Sequence, residues 1–326
     1  MTTQVAAEDL PRMSFGEHLE ELRGRLFKAI GAIALAVIGL MPFKREVQAI
    51  YLEPYRACWN STYAGFLEQL DRDIGLVGDY ARLGPEQKQQ VDARVAQLHA
   101  DRQRTVRFHL ERRGQILAGT YPRQEADRIL HEGNFPLPWN LKALGGLDDI
   151  WIFMAATMLF GVILASPIVL WQIWAFIAAG LYARERKVVW AFLPAAFGLL
   201  GLGVLFGYYV AVPFGLYMLV QYMNLDQVAP FFTVSQYFSF FFSFCTALGL
   251  MFQLPLVMLV LARIGLVTHA TMKQHWRYVV LIIFVVAMVV TPPDPFSMCL
   301  MAAPLLVLYG FGLLLTARVQ RPAVAG

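Results

Sequence analysis

The chain has 326 residues, of which 58% are hydrophobic, 13% aromatic and only 15% charged. A soluble domain carries about 25% charged residues, so this composition excludes an ordinary soluble globule. A net charge of +4 is too small to argue for a nucleic-acid ligand, and no nucleic-acid partner is expected.

The first informative stretch is Ser14–Leu26, SFGEHLEELRGRL. Ser14 and Glu17 have capping-box spacing, which places a helix start here. Phe15, Leu19, Leu22 and Leu26 form one apolar stripe, and His18, Glu21 and Arg25 fall on another side. Residues 1–25 are therefore read as a cytoplasmic amphipathic helix that lies on the membrane surface and offers carboxylates to the water. A solvated lead-in to a span is the plainer reading.

A bilayer crossing takes about 20 helical residues. The apolar runs predict six spans: Leu26–Phe43, Ile150–Gly180, Val188–Val212, Tyr237–Ala262, Tyr278–Thr291 and Phe296–Ala317, with a tail at Arg318–Gly326. Ser166-Pro167 should kink or weaken the second span, and Pro255 lies inside the fourth. The fifth is short for a crossing. The first run lacks a convincing cleavage site and is read as a retained span.

Lysine and arginine collect around the N-terminal helix, at Arg184, Arg186 and Lys187, at Arg263, Lys273 and Arg277, and at Arg318 and Arg321. The loops at 214–236 and 292–295 have none. That bias predicts both termini in the cytoplasm. The fold class is thus an all-α polytopic membrane protein with six transmembrane helices and an extracytoplasmic loop at Lys44–Asp149. Within that loop, Val91, Val95, Leu98 and Val106 suggest a helical insertion. His99, His109 and His131 lack metal-site spacing and read as solvated surface residues. The sequon Asn60-Ser61-Thr62 is a weak motif.

Inside the spans, Gln172 and Gln253 read first as interhelical hydrogen-bond partners, and Gly203 with Gly207 as a close-packing GxxxG. Trp171, Trp174, Trp190 and Tyr182 read as an aromatic belt. Cys58, Cys245 and Cys299 form no disulfide framework; Cys245 and Cys299 read as packing residues. The chain shows no glycine-rich phosphate loop, metal-ligand quartet or Ser–His pair, so no catalysis, cofactor or metal ion is assigned.

Glu185 stands among Arg184, Arg186 and Lys187 in the turn between spans two and three. Orientation rules account for the bases but not for the acid. With Glu21, and with Glu17 or Glu20 beside it, Glu185 offers two carboxylates near one bilayer face. Such a pair beside an apolar groove suits a ligand with two arginines followed by a hydrophobic stretch, because guanidinium–carboxylate pairing is bidentate.

The segments His18–Leu26 (HLEELRGRL), Ala165–Lys187, Phe206–Leu219 (FGYYVAVPFGLYML) and Thr291–Ser297 (TPPDPFS) resemble, in this order, those of the TatC family, the multispanning subunit of the twin-arginine protein translocase. The resemblance covers the chain except about Cys58–Leu141. It implies that Glu21 and Glu185 bind the twin-arginine signal peptide of folded precursors, with His18, Leu22, Arg23 and Arg186 shaping the site. It places Pro54, Pro167, Gln172, Phe176 and Asp294 at family positions, and Met288 and Thr291 where single-span TatA/TatB-type subunits bind. It further implies the inner membrane, proton-gradient-driven export and homo-oligomers within a receptor complex. Two departures stand out: Gln253 occupies a position where the family often has glutamate, and Met298 replaces a polar residue just inside span six. A secondary transporter of a small solute is the rival from another class, but the halves show no inverted repeat.

Overall fold

The computed structural model describes residues 15–76, 78, 80–122, 125–126, 128–129, 135, 137–180, 183–222, 233–291 and 295–319. It excludes the side chains of residues 15, 101, 183–185, 187–189 and 319. Ser14, Tyr182, His131 and Asp294, all singled out above, lie outside the described residues.

Twelve helices are described: α1 Phe15–Leu40, α2 Lys44–Ile74, α3 Pro85–Ala96, α4 Ala100–Leu117, α5 Asp148–Ala179, α6 Ala183–Phe206, α7 Val212–Tyr222, α8 Val234–Met251, α9 Leu254–Arg263, α10 His269–Gln274, α11 Trp276–Val290 and α12 Pro295–Val319. The extended pairing among the described residues is a single bridge between Lys142 and Thr233. Five helical stretches are long and apolar enough to cross a bilayer: Gly16–Ile74, Asp148–Ala179, Trp190–Gln221, Val234–Arg263 and Pro295–Arg318. The 15-residue α11 is apolar but shorter. The chain is therefore an all-α polytopic membrane protein.

The chain divides into two compact units. The first contains Met1–Gln48, Phe153–Ala211 and Phe240–Gly326. Its core joins Leu170, Trp174 and Ala178 of α5, Leu193 and Ala196 of α6, and Leu256 and Val260 of α9. Trp174 is thus a core residue rather than part of a belt, because its helix face turns toward α6 and α9. Trp171 and Trp190 do pair near one helix end, with ring centroids 4.7 Å apart.

Glycines set how close the helices come. A Cβ on Gly203 would lie 2.6 Å from the Leu248 carbonyl oxygen, and one on Gly207 would lie 3.1 Å from Cys245 Cα. The GxxxG of α6 therefore brings backbone against backbone along α8, which dispersion forces and small residues favour in lipid. Gly161 of α5 receives Val37 of α1 in the same way, at 2.6 Å.

The prolines are accommodated locally. Pro167 has no N–H for the Ile163 carbonyl, so a weakened helix was expected, yet α5 runs unbroken from Asp148 to Ala179. The Ser166 hydroxyl donates to that same Ile163 oxygen at 2.6 Å, so the residue before the proline satisfies the acceptor that the proline strands. Before Pro213, a π turn at Gly207–Ala211 widens the helix and lets it continue into α7, past the predicted end at Val212. Pro255 sits in the first turn of α9, just after the break at Phe252–Gln253.

The second unit contains Ala49–Ile152 and Val212–Ser239. Tyr51, Tyr55, Trp59 and Tyr63 recur every fourth residue on one face of α2 and are almost fully buried. Each finds a polar partner for its backbone or ring. The Tyr237 hydroxyl donates to the Tyr51 carbonyl, the Tyr55 hydroxyl to Pro138 O at 2.5 Å, and the Trp59 indole to Leu137 O at 3.0 Å. The helices α3 and α4 form a hairpin over a small core of Ile74, Leu76, Val91, Val95, Val106 and Leu110. His109 of α4 is fully buried against Tyr63 and Phe66. This corrects the solvated-surface reading of that histidine. His99 is exposed just before α4, as a surface residue should be.

Candidate functional site

In the structure the apolar stripe of the N-terminal helix faces away from the protein. Leu19, Leu22 and Leu26 are 49%, 40% and 54% exposed. The polar stripe His18, Glu21 and Arg25, continued by the buried Ala29, is the less exposed side. The physical reason lies in the solvent. A leucine stripe has nothing to gain from the protein over lipid, whereas ionic groups on a membrane helix need protein partners. Among the described residues, Phe15–Leu40 is one continuous element.

His18 anchors this end. Its ring stacks on Phe176 of α5 at 4.4 Å between centroids. A Cβ on Gly180 would meet His18 Cε1 at 3.2 Å, so the bare glycine makes room for the imidazole. One helical turn on, Glu21 forms an intrahelical ion pair with Arg25, and both side chains keep partial exposure, 33% and 21% respectively. The pair engages one carboxylate oxygen, and a carboxylate has capacity for further donors. His18 Nδ1 and Arg25 Nε are buried and have no hydrogen-bond partner among the described residues. Arg23 is exposed, with its guanidinium 5.9 Å from the Phe27 ring centre.

Glu185 lies in the first turn of α6, five residues beyond Gly180, and Arg186 beside it is exposed. The Glu185 side chain is outside the described atoms, so its distance to Glu21 is not fixed. What the fold does fix is that the backbone segment leading to Glu185 begins where His18 docks. No group of three or more His, Cys, Asp or Glu residues suited to a metal ion occurs among the described residues.

The remaining sequence candidates separate. Gln253, just before α9, donates from Nε2 to the Ala196 carbonyl at 3.0 Å, while its Oε1 is buried without a partner. It bridges helices through one of its two polar ends. Gln172 is half-buried and makes no side-chain hydrogen bond among the described residues. Pro54 is buried within α2. Met288 is 56% exposed on α11. Thr291 is buried at the C-cap of α11, and its hydroxyl donates to the Ala287 carbonyl at 2.9 Å. Sequence reasoning missed the inward stripe of α1 and the Gly180 notch. The signal for the stripe was the spacing of His18, Arg25 and Ala29; the notch has none in the sequence.

The family profile described as Sec-independent protein translocase protein (TatC) matches residues 17–304. The TatC protein of Helicobacter pylori strain J99 is 36% identical over 183 residues, covering 56% of this chain and 73% of that one. TatCy of Bacillus subtilis is 33% identical over 211 residues, covering 64% and 82%. The TatC protein of Deinococcus radiodurans is 38% identical over 213 residues, covering 62% and 77%. Among solved structures, a crystal structure of the twin-arginine translocase receptor TatC superposes with a TM-score of 0.63 at 24% identity, covering 94% of this chain and all of the other. That likeness establishes the fold.

Proposed function

The chain belongs to the TatC family of Sec-independent protein translocase proteins, and from that premise we propose that it is the receptor subunit for twin-arginine signal peptides. In this reading the two guanidinium groups of the signal are gripped by Glu21 and Glu185 at the cytoplasmic face of the inner membrane, with both termini on that side. The observation that best supports it is the docking of His18 on Phe176 and Gly180. It ties the turn of α1 that carries Glu21 to the end of α5 from which the chain leads to Glu185.

The mechanism follows from the charges. Glu21 is held in place by Arg25, so an arriving arginine shares a positioned carboxylate instead of ordering a free one. Lysine in its place would supply a point charge without the two parallel N–H donors that a carboxylate accepts. Export then draws on the proton gradient and requires no cofactor. Single-span TatA/TatB-type subunits assemble along α11, where Met288 is exposed, within a receptor complex of several copies of the chain.

Photo-cross-linking of a twin-arginine precursor to the full-length protein in membranes tests this. Glu21→Gln and Glu185→Gln should each weaken capture by roughly 10- to 100-fold, the worth of one charge-assisted hydrogen bond. A twin-lysine precursor should be captured poorly by the unaltered chain. Undiminished capture in both variants would overturn the site.

A further inference from the structure

Away from the peptide site, the chain bends at His275 between α10 and α11 (φ −93°, ψ 15°). The last turn of one helix and the first turn of the next converge there on an open depression of about 770 Å³. It is lined by Ala270, Lys273, Gln274, Trp276, Arg277 and Tyr278. Lys273 and Arg277 are exposed and both line the depression. The sequence from Gln227 to Pro293 contains no aspartate or glutamate. Neither base forms an ion pair with the described residues; Arg277 lies over the Trp276 ring at 5.8 Å. Two cations therefore share one concave seat with no anion from their own segment.

The surroundings identify what kind of anion belongs there. Trp276 and Tyr278 are 50% and 66% exposed at the start of a helix that carries no further charge as far as Val290. Exposed Trp and Tyr beside Lys and Arg at the end of an apolar helix mark the headgroup level of a bilayer. At 15 residues, α11 is about 22 Å long, against a hydrocarbon thickness of about 30 Å. A stretch this short is accommodated by local thinning of the bilayer and by snorkelling of flanking residues, which bring headgroups and bases together at its ends. Bases that only set orientation could stand anywhere in the loop and need neither a hollow nor flanking rings.

We infer that this depression is a binding seat for the phosphodiester headgroup of an anionic phospholipid. Lys273 and Arg277 hold the phosphate, the Gln274 amide donates a further hydrogen bond, and Trp276 and Tyr278 lie along the upper acyl and glycerol region. The assignment of this leaflet as cytoplasmic rests on the orientation proposed above. Headgroup binding itself needs neither that orientation nor the peptide site, so the two can fail separately.

Native mass spectrometry of the purified full-length protein in a neutral detergent tests the inference, with phosphatidylglycerol, phosphatidylcholine and inorganic phosphate titrated separately. The unaltered chain should retain phosphatidylglycerol at least fivefold more than phosphatidylcholine, an order set by two surface bases. Lys273→Gln with Arg277→Gln should reduce that retention by roughly tenfold, while Arg318→Gln, a base on another helix, should leave it unchanged. Equal retention of the two lipids, or an unaltered double variant, would overturn the proposal. Displacement of the lipid by millimolar inorganic phosphate would also overturn it, by reassigning the seat to a free anion.

Discussion

His109 offers the sharpest test of how this chain is put together. It sits fully buried in α4, with Nδ1 2.9 Å from the Tyr63 hydroxyl and Nε2 without a hydrogen-bond partner. Burial disfavours the imidazolium and pulls its pKa from 6.5 down to about 4. The unfolded chain therefore takes up a proton as pH falls below 6.5, while the folded one resists until about 4. Stability of this region is flat above pH 6.5 and declines as pH drops from 6.5 toward 4. A tenfold difference in proton affinity is worth about 1.36 kcal/mol, so the full loss is about 3 kcal/mol. Amide hydrogen exchange along Ala100–Leu117, corrected for intrinsic pH dependence, reads the opening free energy directly. His109→Gln keeps a polar partner for Tyr63 but cannot titrate. It should start lower by about 1–3 kcal/mol and lose the slope between pH 6.5 and 4. The Asp71 carboxylate, which accepts from Arg113 at 3.0 Å, is present in both proteins, so its acid titration cancels in the comparison. An unaltered chain with constant opening energy over that range, or a variant with the same slope, would refute the burial argument.

Other expectations follow from single contacts. Ser166→Ala should strand the Ile163 carbonyl and destabilise α5 by about 1–3 kcal/mol, visible as faster exchange around Pro167, whereas Ser166→Thr should be close to neutral. Gly203→Val would drive a side chain into the Leu248 carbonyl 2.6 Å away and should lower the melting temperature in detergent by several degrees. Gly198→Ala, with open space around its Cβ, should not. Gln253→Leu removes one hydrogen bond and one orphaned oxygen together, so its stability should change by less than about 1 kcal/mol.

Much of the architecture was legible because its signals are local. Apolar runs gave the membrane helices, and GxxxG gave the close approach of α6 and α8. The valine spacing from Val91 to Val106 suggested the helical insertion. What was not legible depends on contacts between distant parts of the chain. The stripe of Leu19, Leu22 and Leu26 could be seen as one apolar face, but not that His18, Glu21 and Arg25 form the less exposed side. His109 was read as solvated because it lacks metal-site spacing within a polar insertion, while two of the rings that bury it, Tyr63 and Phe66, lie more than forty residues away. For the candidate peptide site, Glu21 and Glu185 were visible as sequence oddities. The Arg25 partner of Glu21 was visible as an i, i+4 pair, but the role of Gly180 in seating His18 emerges only from the fold.

The glycine seam between α6 and α8 has a consequence for leakage. Where a missing side chain lets one backbone rest on another, no file of water molecules fits between them, and protons have no wire to hop along. Any opening of this unit that admits water would therefore have to begin along another helix boundary.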